Sequence, residues 1–158
     1  MLKPMIAAVV QMTSGPEVAR NLSRAAELIE QAARRGAELV ALPENFAYMG
    51  PEEGRLATAE SLDGPTLGAL REVARRRSIF VVAGSIAEKS ANPKMPSNTS
   101  AVIADDGSIV AAYRKIHLFD VNIPDGARYA ESEVVLPGDK VVVDGVVVRI
   151  HGSVQDIT

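Results

Sequence analysis

Two unbroken apolar runs, Met5-Ile6-Ala7-Ala8-Val9-Val10 and Leu39-Val40-Ala41-Leu42, stand on either side of one amphipathic stretch, and this arrangement constrains the fold most. A short run without polar interruption reads as a strand covered on both faces, as in a sheet with helices packed on it. Between the runs, Val18, Leu22, Ala25, Ile29 and Ala32 recur at helical spacing, while Arg20, Arg24, Glu27, Glu30 and Arg34 fall off that stripe. The spacing predicts a helix over residues 17–35, stopped by Gly36.

The pattern then repeats and changes character. Asp63-Gly64-Pro65-Thr66 opens a second helix running to Arg77, with Leu67, Leu70 and Ala74 on one face and Arg75-Arg76-Arg77 as a solvated last turn that suits the helix dipole. Residues 79–84 form a third strand, and residues 89–98, with two prolines, a surface loop. Segments 99–104 and 108–113 flank Asp105-Asp106-Gly107, a hairpin signal whose second strand delivers Lys115 at its exit. Residues 120–130 read as an irregular loop before Val134-Val135-Leu136, and a second hairpin is expected around Asp144-Gly145. Strand, helix, strand, helix, strand and then hairpins define an α/β fold with a mixed-sheet layer, and no internal boundary divides residues 1–158.

Composition narrows the function. Seventeen basic and twenty acidic residues are spread along the chain for a net charge of -3, which indicates neither nucleic acid nor an anionic membrane as partner. No run approaches the roughly 20 apolar residues of a membrane helix. The absence of cysteine excludes disulfides and thiolate metal sites, and it suits a reducing compartment, so a cytoplasmic location is expected. His117 and His151 are far apart with no acidic pattern around them, so neither a metal nor another cofactor is expected. Pro43 ends the second strand and leaves Glu44 at its C-terminal end, where α/β folds place their chemistry.

Three separated motifs carry a family resemblance: Leu42-Pro43-Glu44-Asn45-Phe46, Tyr113-Arg114-Lys115-Ile116-His117-Leu118-Phe119-Asp120 and Tyr129-Ala130-Glu131-Ser132. Together they resemble the nitrilase superfamily of carbon-nitrogen hydrolases, most closely its Nit-like amidases, and the match covers nearly the whole chain in order. The resemblance implies the N-terminal half of an α-β-β-α sandwich, hence a single, truncated hydrolase domain over residues 1–158. It implies a small, carboxylate-bearing linear amide as substrate and assembly into homo-oligomers. Half a sandwich would also leave an apolar sheet face uncovered, which favours self-association physically.

By the same resemblance Glu44 is the general base, Lys115 stabilises the tetrahedral intermediate, and Glu131 orients the lysine and substrate. Glu133 lies close enough to exchange with Glu131, and His117 is expected to pack or hydrogen-bond beside Lys115. The family's nucleophile is a cysteine, and Gln155 of Gly152-Ser153-Val154-Gln155-Asp156 stands in its place. Ser153 sits two residues early and carries a far less acidic group, so it is a poor substitute. The chain as given is expected to be inactive; the alternative is a non-catalytic protein that keeps the fold to bind ligands or partners.

Overall fold

The computed structural model describes residues 4–124, 126 and 128–142. The expected hairpin around Asp144-Gly145, His151 and the Ser153 to Gln155 segment lie outside the described residues. Strands β1 (Ala7–Val9), β2 (Leu39–Ala41) and β3 (Phe80–Val82) lie side by side and parallel. Helix α1 (Val18–Arg34) connects the first pair; α2 (Glu52–Ala57) and α3 (Pro65–Arg77) lie between the second. Strand β5 (Ser97–Ile103) then runs antiparallel to β3, to β4 (Ile86–Glu88) and to β6 (Ile109–Arg114), so the sheet is mixed, as its sequence order implies.

Strands β3 and β4 are two halves of one extended segment. Both run antiparallel to β5, Val81 and Val82 opposite Ile103 and Val102, Ile86 to Glu88 opposite Thr99 to Ser97. Their registers differ by one residue, so the interruption around Gly84 acts as a bulge. The strand over residues 86–88 was not expected from the sequence. It forms because Ser97 and Asn98, read as the end of a surface loop, are instead buried members of β5 that pair with it.

Helices α1 and α3 cover one sheet face. Val40, Val81, Ala101 and Ile103 turn toward Ala25 and Ile29 of α1 and Leu67 and Leu70 of α3, joining one continuous apolar cluster. Each of the valine, leucine and isoleucine side chains among them contributes about 1.5 to 3 kcal/mol when fully buried. The buried stripe of α1 also includes Asn21, whose side-chain amide donates to the carbonyls of Gly15 and Ala47 and accepts from the Gly15 N–H. The α3 arginines are not merely solvated: Arg76 and Arg77 reach across to Glu30 of α1.

The opposite face corrects the expectation of strands covered on both sides. Ala7, Val9, Leu39, Ala41, Phe80 and Val82 alternate with the core residues, and among the described residues this face lacks the burial of the other: Val9 is 88 % exposed and Phe80 36 %. Residues 120–130 also differ from the expected irregular loop. They hold a two-stranded antiparallel sheet, β7 (Asp120–Asn122) with β8 (Arg128–Ala130), followed by a 3-10 turn at Glu131–Glu133. The tilted ring contact of Phe119 with Tyr129 braces that pair. Among the described residues no helix is long and apolar enough to cross a membrane.

Candidate active site

Glu44 is presented by a turn fixed on both sides. The last sheet bond of β2 runs from the Leu42 N–H to the Val82 carbonyl at 2.9 Å, after which Pro43 cannot donate and the ladder stops. Asn45 takes a left-handed conformation, φ 54°, one that asparagine tolerates better than most residues. Its N–H donates to Ser85 Oγ at 2.9 Å and its side-chain oxygen accepts from Arg55 at 3.2 Å. Phe46, fully buried, anchors the turn in the core. Gly84 makes the passage possible: a Cβ there would lie 1.9 Å from the Pro43 carbonyl oxygen, and φ is 38°.

Lys115 leaves the end of β6 under equally tight control. Its N–H donates to the Asn98 carbonyl and its own carbonyl accepts from the Gly138 N–H, both at 2.9 Å. Gly138 lies so close that a Cβ would come within 2.3 Å of the Arg114 carbonyl oxygen. The preceding Arg114 grips the buried Glu88 carboxylate with Nε at 2.7 Å and Nη2 at 2.5 Å, and Thr99 donates to the same carboxylate at 2.7 Å. This two-pronged, charge-assisted contact fixes the strand end from which the lysine emerges.

The side chains of Glu44, Lys115 and Glu131 converge although 71 residues separate the first two. Lys115 Nζ donates to Glu44 Oε1 at 2.9 Å and to Glu131 Oε2 at 3.0 Å. Asn98 Nδ2 donates to Glu44 Oε1 at 2.8 Å and Glu131 Oε1 at 3.2 Å, and the Phe119 N–H donates to Glu131 Oε2 at 2.8 Å. Glu131 thus has both oxygens engaged; Glu44 has one, and among the described residues nothing donates to Oε2.

Electrostatics follow from these contacts. Burial works against the Lys115 charge, but the hydrogen bonds and charges of Glu44 and Glu131 outweigh it and hold the ammonium above its usual pKa. Burial likewise disfavours the Glu131 anion, and the Phe119 N–H, Lys115 and Asn98 outweigh it, holding the carboxyl below its usual value. Exposure grades across the site: the Glu131 side chain is 12 % exposed, Lys115 26 % and Glu44 54 %. A fixed cation beside a carboxylate with a free oxygen can polarise a carbonyl and accept a proton.

Glu133 does not exchange with Glu131; it pairs with Arg128 at the surface. His117 is exposed rather than packed beside the lysine. Two contributors escaped the sequence reading: Asn98, hidden by its assignment to a loop, and the backbone N–H of Phe119, which no residue type announces. A cavity of about 630 Å³ at the start of α1, bordered by Gln11, Arg20, Arg24 and Glu27, is lined by none of the three converging residues.

A strand end, a hairpin exit and a short turn thus bring two carboxylates to one lysine on a mixed-sheet α/β fold. Residues 6–154 match the carbon-nitrogen hydrolase family, and the chain belongs to that family. It is 44 % identical over 140 residues to a deaminated glutathione amidase of Synechocystis sp., covering 88 % of this chain and 52 % of that protein. It is 39 % identical over 131 residues to the omega-amidase NIT2 of Xenopus tropicalis, covering 83 % and 47 %. The chain therefore spans about half the length of these relatives. Among solved structures, the NitFhit protein of C. elegans superposes with a TM-score of 0.75 at 33 % identity, over 86 % of this chain and 34 % of that one. Nit3 of Saccharomyces cerevisiae, of the nitrilase superfamily, superposes with a TM-score of 0.72 at 29 % identity, over 86 % and 49 %.

Proposed function

We propose that Glu44, Lys115 and Glu131 form the acid-base and oxyanion half of an amidase site directed at a small linear amide bearing a carboxylate. The observation that carries this reading is the double contact of Lys115 Nζ with Glu44 at 2.9 Å and Glu131 at 3.0 Å. In this reading Glu44 accepts the proton of the attacking group, Lys115 stabilises the oxyanion and Glu131 holds the lysine in place. Residues 1–158 act as one domain, equivalent to the N-terminal half of the family sandwich, in the cytoplasm, where a chain without cysteine has no need of oxidation. The uncovered sheet face supports self-association.

Residues 1–158 contain no thiol, so they supply no cysteine nucleophile and by themselves do not turn over amides. That absence favours a second role in which the site binds an amide or the sheet face binds a partner without catalysis. An ammonia-release assay on a panel of short omega-amides tests the first statement: no turnover is expected, and turnover abolished by Glu44→Gln would overturn it. Binding is tested separately by NMR. A carboxylate-bearing amide is expected to perturb the Lys115 side-chain resonance and those of residues around the site, and perturbations that persist unchanged in Lys115→Met would show that the lysine takes no part in binding.

A further inference from the structure

Asn98, like Lys115, touches each of the other three residues at the site, and it does so as a neutral group. Its backbone carbonyl accepts the Lys115 N–H at 2.9 Å, and its side-chain Nδ2 lies 2.8 Å from Glu44 and 3.2 Å from Glu131. It is only 3 % exposed and sits in β5, paired with Ala87 of β4. Both carboxylates are acceptors only when ionised, so the amide must present its NH₂, whose two protons suffice for one bond to each. Turning the amide over would set its oxygen against two anions.

We propose that Asn98 is a positioning residue, whose side-chain amide spaces the two carboxylates and joins Lys115 on the same oxygen of Glu44, fixing the carboxylate so that its other oxygen is presented to accept a proton. Two like charges sharing one lysine repel each other, and a second donor between them offsets that repulsion. Asparagine suits the task because it donates without titrating, so the arrangement survives protonation changes elsewhere in the site. Its backbone bond to Lys115 ties the spacing of the carboxylates to the strand register that places the ammonium. The proposal rests on the reading of Glu44 as base and Lys115 as oxyanion stabiliser.

The test uses the full chain with carbon-13 labelled glutamate, following the Glu131 carboxyl resonance with pH in wild type, Asn98→Leu and Asn98→Asp. Leucine keeps the branching at Cγ and removes the donor; aspartate keeps the shape and replaces the donor with a third carboxylate. Both are expected to move the Glu131 titration upward, with thermal unfolding showing that each variant is folded. A loss of packing alone would lower the melting temperature without moving the titration. A Glu131 that titrates below the usual range in wild type and identically in both variants overturns the role of Asn98 and leaves the site reading intact. A Glu131 that titrates normally in wild type overturns both. Should neither variant fold, the wild-type Asn98 Nδ2 protons decide: they are expected to shift with the Glu131 titration, and protons indifferent to it overturn the proposal.

Discussion

A single glycine determines whether the Glu44 turn can exist. Gly84 lies where β3 breaks from β4, and any side chain there would collide with the Pro43 carbonyl one residue before Glu44. Gly84→Ala is therefore expected to destabilise the fold by about 2 kcal/mol or more, from steric conflict and an unfavourable positive φ. Chemical denaturation measures the loss. Because the strained contact is with the Glu44 turn, the variant should also weaken the Lys115 contact, seen as a drop in the titration midpoint of the lysine; a variant as stable as wild type would show that the two strand ends do not approach as described. At this scale the motif around Glu44 was legible because its residue types are unusual together. Asn98 was not, because an asparagine two residues after a proline carries the same local signal in a loop as in a buried strand.

Between elements, the contact of α1 with α3 is charged at its rim. Glu30 is held well down, to about 2 against an ordinary 4.5, chiefly by the paired guanidinium of Arg77 and then that of Arg76, with burial working the other way. A carboxylate depressed in the folded state stabilises fully above its unfolded value and loses that contribution as pH falls through its folded one. Glu30→Gln is thus expected to cost about 1 kcal/mol near neutrality, a modest figure because both arginines are partly exposed. The difference between variant and wild type should shrink as pH drops from 4.5 toward 2, read as converging melting temperatures; a constant difference across that range would rule out the pairing as its source. Helical periodicity located both helices to within a residue or two. It could not show that the basic last turn of α3 meets Glu30, since that depends on how the helices cross.

For the whole molecule, the asymmetry of the sheet matters most. One face is sealed by α1 and α3, while among the described residues the other presents Val9, Phe80 and their neighbours, an apolar surface of the kind that monomers rarely leave open. The chain is expected to self-associate with rising concentration in sedimentation velocity, and Val9→Lys with Phe80→Lys to reduce that association with little change in melting temperature. A wild-type chain that stays monomeric at every concentration would contradict this.

Hydrophobic periodicity, turn chemistry and three motifs were enough to read the alternation of β1, α1, β2, α3 and β3, though not the short helix α2, together with the family and the three converging side chains, because each is a local signal that survives without knowledge of neighbours. Which sheet face is covered, where β4 and β7 form, and that Asn98 rather than a loop lies between the carboxylates were decided only by tertiary structure. Those features depend on pairing between segments distant in sequence: β4 and Asn98 acquire their structure from each other, and a short strand such as β7 exists only because β8 returns beside it.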